Sequence, residues 1–518
     1  MSRLRSVFHK PVMLLLAALL VGGLFLFRDY GLTWDEPLFY GYADALGYAY
    51  TPANWISGHF DLTLSYGPSA TDHKTRGPAY LLIAREPVYF LEHLGLDAAS
   101  AWHLFNFLTF LVGVYFVYRL CALFVRDLTA VAAAAFFALQ PMLWGHAFIN
   151  PKDMPFLVFL SGAVWLGLRM VDRLLANESR SRSEQIAEVL LPAFFLGAAT
   201  SNRVLGPLAG LLVLIYFVAG RPSRRVLPWI ILYAILSVLV MLATWPYLWE
   251  TPLRFVQVFQ FMSENPTVLT VLFAGAVYRA YDLPRRYVPF LLGATLTEFV
   301  WPLFAVGVLR AGWMLRNLTR RFIAAGLMLA WFVIPLVYAI VARPPLYDGM
   351  RHFLFILPPV FVFVAIALDY LFLKIGKRWA NTALAAVLLA PGVFGIIQLH
   401  PYEYAYFNSF VGGPGGAFRH YETDYWLTCY REAVLQFDAT VTGPVNLYVH
   451  REPEVAQPYA SANVSVLDQR GSVSQIQSGD YILVNTRTNE DRDTFHDAPA
   501  ILSVGRAGAT FCVIKRIP

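Results

Sequence analysis

The chain has 518 residues and a formal net charge of +6, and 58% of its residues are hydrophobic whereas 14% are charged. Soluble domains carry about 25% charged residues, so this composition excludes an ordinary soluble protein. The apolar residues occur in blocks of about 20, the length that a helix needs to cross a bilayer. The sequence therefore predicts a multi-pass membrane protein. Its basic residues are expected to mark cytoplasmic loops and not a nucleic-acid site.

Eleven apolar segments are predicted to span the membrane. The first follows Arg3, Arg5 and Lys10 and lacks a small-residue cleavage site, which favours a transmembrane helix over a signal peptide. The segments lie near residues 11–27, 103–124, 128–147, 154–171, 186–201, 203–220, 226–245, 289–309, 322–342, 353–373 and 381–398.

Basic clusters orient these segments. With the N-terminus inside, the clusters at 173–182, 221–225, 316–321 and 374–378 all fall in cytoplasmic loops, as the positive-inside rule requires. The short segment 186–201 is kept because its removal would place the 221–225 cluster outside. The outer segments are then 28–102, 148–153, 201–202, 246–288, 343–352 and 400–518.

Two domains are predicted, a transmembrane module at 1–399 with its first outer loop at 28–102, and an extracytoplasmic α/β domain at 400–518. The fold class is mainly α. In the tail, alternating patterns predict four strands and an amphipathic helix. Cys429 and Cys512 could form a disulfide in an oxidising compartment. The predicted strands are Asn446–His450, Val464–Asp468, Asp480–Asn485 and Ala509–Ile514, and the predicted helix is Trp426–Asp438.

Two acidic residues, Asp35 and Glu36, come soon after the first apolar segment. One interpretation is a catalytic acid pair at the membrane surface, with one carboxylate acting as a general base. The other is a solvated helix start, since Pro37 follows and proline is common in the first helical turn.

The second outer segment is short and unusually polar, with His146, Asn150, Lys152 and Asp153 between two apolar segments. Ionisable residues at such a place indicate either a functional site or side chains that reach the membrane interface. The neighbouring prolines would fix the backbone in both cases. The sequence leaves both interpretations open.

Several basic residues lie on the outer side, against the usual inside bias. They suit either an anionic ligand or lipid head groups and local ion pairs. The residues concerned are His73, Lys74, Arg76, Arg203, Arg351 and His352.

The segment after His400 is rich in tyrosine and includes Tyr404, and Glu422 and Asp424 follow it. Its glycines, 412–416, follow no strand and lack the lysine of a phosphate-binding loop, which excludes a nucleotide site of that kind. The aromatic residues form either an interfacial belt or a surface for a sugar ring or an isoprenoid chain.

Taken together, these motifs resemble a known family. They are Thr33–Glu36, Phe148–Phe156, Tyr347–Leu354 and the stretch from His400 to Trp426. The chain resembles the dolichyl-phosphate-mannose–protein mannosyltransferase-like group of the GT-C glycosyltransferases, a group that includes the lipid A aminoarabinose transferases. The resemblance covers most of residues 1–430.

The resemblance implies a transferase that moves a sugar from a polyprenyl-phosphate donor to an acceptor hydroxyl, with inversion. It implies a bacterial inner-membrane protein whose active site faces the periplasm, and a protein, lipid or glycan acceptor. Asp35 is then the general base, with Glu36 and Asp153 as further catalytic residues. The donor phosphate would contact Lys152, Arg351, Arg203, Lys74 and Arg76, and the substrate cavity would include His73, His146, Asn150, Tyr347, Tyr404, Glu422 and Asp424.

Several alternatives remain. Asp35, Glu36 and Asp153 could bind a divalent cation, although the polyprenyl-monophosphate branch of the family that the chain resembles generally functions without a metal. Lys74 to Pro78 replaces a motif found in relatives, which leaves the sugar and acceptor open. A transporter or flippase of lipid-linked sugars is the second hypothesis. Transporters usually show internal repeats and midplane polar groups, whereas these ionisable residues lie at segment ends. A non-catalytic subunit of the same fold is a third.

Overall fold

The computed structural model describes residues 11–68, 73–176, 181–264, 267–313 and 320–518. Arg3, Arg5 and Lys10 lie outside these ranges, as do parts of the basic clusters at 173–182 and 316–321.

The molecule is mainly α-helical, as predicted, and each of the eleven predicted segments contains helix. In chain order the helices of these segments are Pro11–Leu26, Ala98–Cys121, Asp127–Ala138, Pro141–Ile149, Asp153–Ala176, Arg182–Asn202, Pro207–Ala219, Leu227–Ala243, Tyr287–Thr295, Val300–Trp313, Arg320–Ala342, Leu357–Ile375 and Arg378–Leu399. A 3₁₀ turn, Arg351–Ile356, leads directly into Leu357–Ile375.

Five of the described helices are long and apolar enough to cross a membrane, and the total is seven if two bent pairs each count as one span. Three further apolar helices are shorter, with 10 to 17 residues. The chain is an integral membrane protein. The number of spans, eleven, stays a prediction.

The two bent pairs are broken at polar connections. The helices Asp127–Ala138 and Pro141–Ile149 meet at 69°, and Tyr287–Thr295 and Val300–Trp313 meet at 105°. Gln140 has extended backbone, as expected for a residue before proline. Its Oε1 accepts from the backbone N–H of Thr297 at 2.9 Å. The two breaks therefore satisfy each other's polar groups inside the protein.

The connections predicted to lie on the outer side contain helices of their own. The first holds Glu36–Tyr50, Pro52–Ile56 and Ala79–His93, with 3₁₀ turns at Leu62–Ser65 and His73–Thr75. The connection at 246–288 holds a 3₁₀ turn, Pro246–Leu248, the helix Arg254–Glu264 and a hairpin of β1 (Thr270–Phe273) and β2 (Ala276–Arg279).

The tail forms a five-stranded sheet in the order β4-β3-β5-β7-β6. Strand β3 is parallel to β4 and β5, whereas β7 is antiparallel to β5 and β6. The four predicted strands are present, and β6 was not predicted. The strands are β3 (Val445–Val449), β4 (Val464–Asp468), β5 (Tyr481–Asn485), β6 (Ala500–Arg506) and β7 (Ala509–Arg516). The helices of the tail are Gly413–Ala417, Cys429–Asp438, Pro453–Ala456, Gln469–Ser472 and Glu490–Asp493. Its 3₁₀ turns are Glu403–Ala405, Ser409–Val411, Gln457–Tyr459 and Val473–Gln475.

The tail packs directly on the first outer connection. Leu32 and Tyr402 belong to the same apolar cluster as the sheet residues Leu447 and Ile514. The backbone N–H of Trp34 donates to the carbonyl of Trp426 at 3.3 Å. A disulfide between Cys429 and Cys512 joins the first turn of a helix to β7. The tail thus forms one wall of the region around Asp35.

Candidate active site

Asp35 stands at the start of the helix Glu36–Tyr50, where Pro37 occupies the first turn. Its carboxylate caps no backbone N–H of that helix but forms an ion pair with Arg351. Asp35 is therefore more than a solvated helix start. Its side chain is directed to a cation 316 residues away in the sequence.

Arg351 lies at the N-terminal end of a membrane helix and is held by contacts on several sides. Besides Asp35 it pairs with Asp348 at 2.8 Å, and it stacks over the rings of Tyr347 and Trp426, 4.9 and 5.3 Å from their centroids. Its side chain is 5% exposed. The guanidinium plane is thus fixed by its neighbours within the protein.

The ion pairs continue from Arg351 into the tail. Asp348 also pairs with Arg487 at 2.8 Å, and Arg487 pairs with Glu422 at 2.8 Å. Arg487 is 2% exposed and stacks over Trp34, 4.6 Å from the ring centroid. The chain of charges Asp35–Arg351–Asp348–Arg487–Glu422 therefore connects the first outer connection, a membrane helix and the tail sheet.

A second set of contacts is organised by Asn150. Its Oδ1 accepts from the backbone N–H groups of Lys152 and Asp153 at 3.2 and 2.8 Å, which starts the helix Asp153–Ala176. Its Nδ2 donates to His146 Nδ1 at 3.1 Å and to Asp153 Oδ2 at 3.3 Å. Asp153 forms an ion pair with Arg203. One amide thus positions both charged residues of this short segment.

Cationic side chains gather around Asp35. Arg351 and Arg76 interact most strongly with its carboxylate, and Lys152 does so more weakly. Burial alone would raise the pKa of Asp35, but these cations outweigh it and lower the pKa below its ordinary value. Asp35 is therefore ionised at neutral pH.

The pKa of Lys152 is lowered as well, but this shift disfavours the charged form of the side chain. Burial lowers the pKa of Lys152 well below its ordinary value, and repulsion from Arg76 and Arg203 lowers it further. Among the described residues no carboxylate forms an ion pair with its ammonium group, which lies 5.8 Å from the centroid of the Phe39 ring. We call Arg76, Lys152, Arg203 and Arg351 the cationic cluster.

Glu36 faces a different set of partners from Asp35. It is fully buried. It accepts hydrogen bonds from the backbone of Thr33 at 2.7 Å and from Tyr40 at 2.6 Å, and it contacts His103 Nε2 at 3.0 Å. These contacts fix the turn that presents Asp35.

Lys74 and His73 lie in the 3₁₀ turn His73–Thr75 of the first outer connection. The ammonium of Lys74 stands over the Tyr247 ring, 5.7 Å from its centroid. His73 is buried and packs edge-on against Phe39 and Tyr42. Of the basic residues in this segment, Arg76 is the one that acts on Asp35 most directly.

The predicted substrate-cavity residues divide into two groups. His146 is buried and hydrogen-bonded to Tyr425 at 3.0 Å, and Tyr347 packs on Arg351, so both adjoin the cluster. Asp424 instead accepts from the backbone N–H of Cys429 at 3.0 Å and from the hydroxyl of Tyr404. That pair holds the start of the helix Cys429–Asp438.

Two buried residues of the site were not named as candidates from the sequence. Asp348 lies inside the Tyr347–Leu354 motif, so its neighbours gave a signal for it. Arg487 lies just after the end of β5 in the tail, where nothing in the local sequence distinguishes it from a surface arginine.

The three carboxylates considered for a divalent cation do not form one donor set. Asp35 and Asp153 pair with different arginines, and Glu36 is bonded elsewhere. Within the described ranges, no group of three or more His, Cys, Asp or Glu side chains is placed to hold a metal ion.

Neither the known family models nor the curated proteins include a match to this sequence. Solved structures do match. ArnT from Cupriavidus metallidurans in the apo state is 16% identical, with a TM-score of 0.51 over 97% of each chain. ArnT from the same organism bound to undecaprenyl phosphate is 14% identical, with a TM-score of 0.50 over 98% of each chain.

The Archaeoglobus fulgidus oligosaccharyltransferase tethered with an acceptor peptide is 11% identical, with a TM-score of 0.50 over 93% of this chain and 70% of that chain. ArnT and this enzyme are both GT-C glycosyltransferases. At these identities the likeness is one of fold. It extends over nearly the whole chain and therefore includes both the membrane helices and the tail. The protein therefore has the GT-C glycosyltransferase fold.

Proposed function

We propose that this protein is a membrane glycosyltransferase. It transfers a sugar from a polyprenyl-phosphate donor to an acceptor hydroxyl with inversion, and Asp35 is the general base. The observation that carries the proposal is the position of an ionised carboxylate, Asp35, among the cationic side chains of Arg351, Arg76 and Lys152.

The positive charge of the cationic cluster would stabilise the phosphate leaving group. A polyprenyl phosphate departs as an anion, so the chemistry needs fixed positive charge more than it needs a strong acid. Arg351 and Arg203 are each held by a carboxylate, whereas Lys152 has no such partner among the described residues and is repelled by its cationic neighbours. A bound phosphate would relieve that repulsion.

The Asp35 carboxylate can act as the general base, because it is ionised at neutral pH. The acceptor oxygen attacks the anomeric carbon and its proton passes to the Asp35 carboxylate. The bond from the anomeric carbon to the phosphate oxygen breaks, and the phosphate takes the electron pair. Arg351 contacts Asp35 and lies in the cationic cluster, so one guanidinium would orient the base and neutralise the leaving group.

The position of the site relative to the membrane helices supports a donor that is attached to a lipid. Lys152, Arg203 and Arg351 each lie at or near an end of a membrane helix, where a phosphate carried on a lipid would be presented, and Arg76 lies just before the helix Ala79–His93 of the first outer connection. A structure with this fold, ArnT, binds undecaprenyl phosphate. The predicted topology places the cluster on the periplasmic side of a bacterial inner membrane, with a protein, lipid or glycan hydroxyl as acceptor.

Asp35→Asn tests the proposal, because it keeps the size of the side chain and removes the base. We expect transfer to fall by about 10²–10⁴-fold, the usual contribution of a general base. The measurement is mass spectrometry of lipids and glycans from cells that express the wild type or the variant at equal levels. The variant should accumulate a polyprenyl-phosphate sugar and lose one glycan.

Asp44→Asn is the matched control. Asp44 is an exposed residue of the same helix and accepts a hydrogen bond from Tyr89, so its change should leave the profile intact. Identical profiles for wild type and Asp35→Asn would remove Asp35 as the base. They would favour transport of lipid-linked sugars, which a flux assay would then test.

A further inference from the structure

A cavity of about 250 Å³ lies at the opposite ends of the membrane helices from Asp35. It is lined by residues near the end of Ala98–Cys121, the end of Val300–Trp313, the start of Arg320–Ala342 and the last turns of Leu357–Ile375. Arg351 and Asp369 are separated by 18 residues of nearly continuous helix, or roughly 25–30 Å. The cavity therefore opens at the other face of the membrane.

Two arginines give this inner cavity its charge. Arg310 is held between the rings of Trp313 and Tyr370, 4.7 and 5.0 Å from their centroids. Arg321 stands in the first turn of the adjacent helix. In the part of the chain that the structure describes, neither forms an ion pair with a carboxylate.

The acidic residue of the cavity does not neutralise them. Asp369 accepts from Arg126 Nε and from Thr129 Oγ1, each at 2.8 Å. Its charge is therefore balanced by Arg126 on the neighbouring helix. The inner cavity keeps an excess of positive charge, supplied by Arg310 and Arg321.

The rest of the lining is apolar, including Phe124, Ala325, Ile366 and Leu373. A site with positive charge at its mouth and apolar walls matches a molecule with an anionic head and a hydrocarbon tail. Basic cavities between membrane helices at the cytoplasmic face bind anionic lipid head groups by this combination. A volume of about 250 Å³ fits a glycerophosphate head and not a whole lipid.

We propose that the inner cavity binds the phosphate head group of an anionic phospholipid from the leaflet opposite the cationic cluster. Arg310 and Arg321 contact the phosphate, and the acyl chains lie along the apolar walls and continue into the bilayer. This proposal is independent of the transferase reaction, because none of its residues belongs to the candidate active site.

The test uses the purified full-length protein in mixed micelles of phosphatidylglycerol and phosphatidylcholine, followed by mass spectrometry of the lipids that stay bound. The wild type should retain phosphatidylglycerol in preference. The double variant Arg310→Gln/Arg321→Gln should reduce that preference by about tenfold or more, since each arginine contributes to anionic lipid binding. The control, Arg224→Gln/Arg225→Gln, removes equal charge from exposed positions outside the cavity and should change nothing.

A second variant, Ala325→Leu, fills the cavity while it keeps every charge, and should also reduce lipid retention. It decides the question if the double variant fails to fold. Equal loss in the Arg224/Arg225 control would overturn the proposal, because surface charge alone would then explain binding. Retention of both lipids alike by the wild type, or displacement of phosphatidylglycerol by free inorganic phosphate, would overturn it too.

Discussion

Lys152 is the lysine of the cationic cluster, and we propose that it contacts the donor phosphate. Its side chain is half-buried, and burial together with repulsion from Arg76, Arg203 and Arg351 lowers its pKa well below the ordinary value. A lysine in such a place is unfavourable for folding unless an anion joins it. The carboxylate nearby, Asp35, already pairs with Arg351, which supports the role proposed above for Lys152 as a contact of the donor phosphate.

This arrangement predicts a pH dependence. As pH rises through the lowered pKa of Lys152, below the ordinary value of about 10.4, the ammonium loses its charge and the donor KM should rise. Lys152→Arg keeps its charge at high pH, so its KM should stay flat further into the alkaline range. Lys152→Met should raise the donor KM by about tenfold or more at pH values where the wild-type ammonium is charged, as expected for one lost charged contact, and the two proteins should converge as pH rises above the pKa of Lys152.

The measurement is the donor KM across pH for the three proteins in proteoliposomes. Parallel alkaline profiles for the wild type and Lys152→Arg would show that another group titrates. A normal KM in Lys152→Met would remove Lys152 from the donor site.

At the scale of elements, the helix Asp153–Ala176 begins at the site because of Asn150. The preceding helix ends at Ile149, and one amide then caps the next helix and contacts His146 and Asp153. The same few residues therefore determine where two membrane helices join and where two charged side chains are placed.

Asn150→Ala should cost about 0.5–2 kcal/mol of stability, the usual effect of a lost helix cap. It should also reduce transfer, because Lys152 and Asp153 lose their backbone anchor. Thermal unfolding in detergent and donor turnover measure the two effects. Asn150→Ser keeps a capping oxygen and should recover most of the stability. Equal melting temperatures for the wild type and Asn150→Ala would show that this cap is not needed.

At the scale of the whole molecule, the tail and the membrane helices are joined by buried charges. Arg487 in the tail stands between Glu422 and Asp348, and Asp348 holds Arg351 beside Asp35. Removing one member of a buried ion pair leaves an uncompensated charge, which costs about 3–5 kcal/mol. The tail is therefore expected to position the site as well as to cover it.

Arg487→Met should destabilise the protein, loosen the tail and lower transfer, because Glu422 and Asp348 lose their cation. Limited proteolysis of the tail and donor turnover report the two consequences. Adding Glu422→Gln should restore part of the stability, since one uncompensated charge is removed. Arg492→Met, at an exposed tail position, is the control. A tail in Arg487→Met that resists protease as the wild type does would contradict this coupling.

The sequence by itself determined the membrane class, the helical segments, four of the five strands of the tail and the polar loops that carry Asp35, Lys152, Arg203 and Arg351. These features depend on local patterns: apolar blocks of membrane length, alternation in strands, and charges at segment ends. Strand β6 was missed because it lies at the sheet edge, where its exposed residues give no clean alternation.

Only the tertiary structure decided how these parts meet. The breaks in two apolar segments are satisfied by a contact between Gln140 and Thr297, 157 residues apart, and local hydropathy carries no record of such a contact. Likewise, Asp35 meets Arg351 and not a backbone N–H, Glu36 turns away from it, and Arg487 reaches in from the tail. Each outcome depends on long-range packing and on which charges are buried together, and these become defined only when the chain is folded.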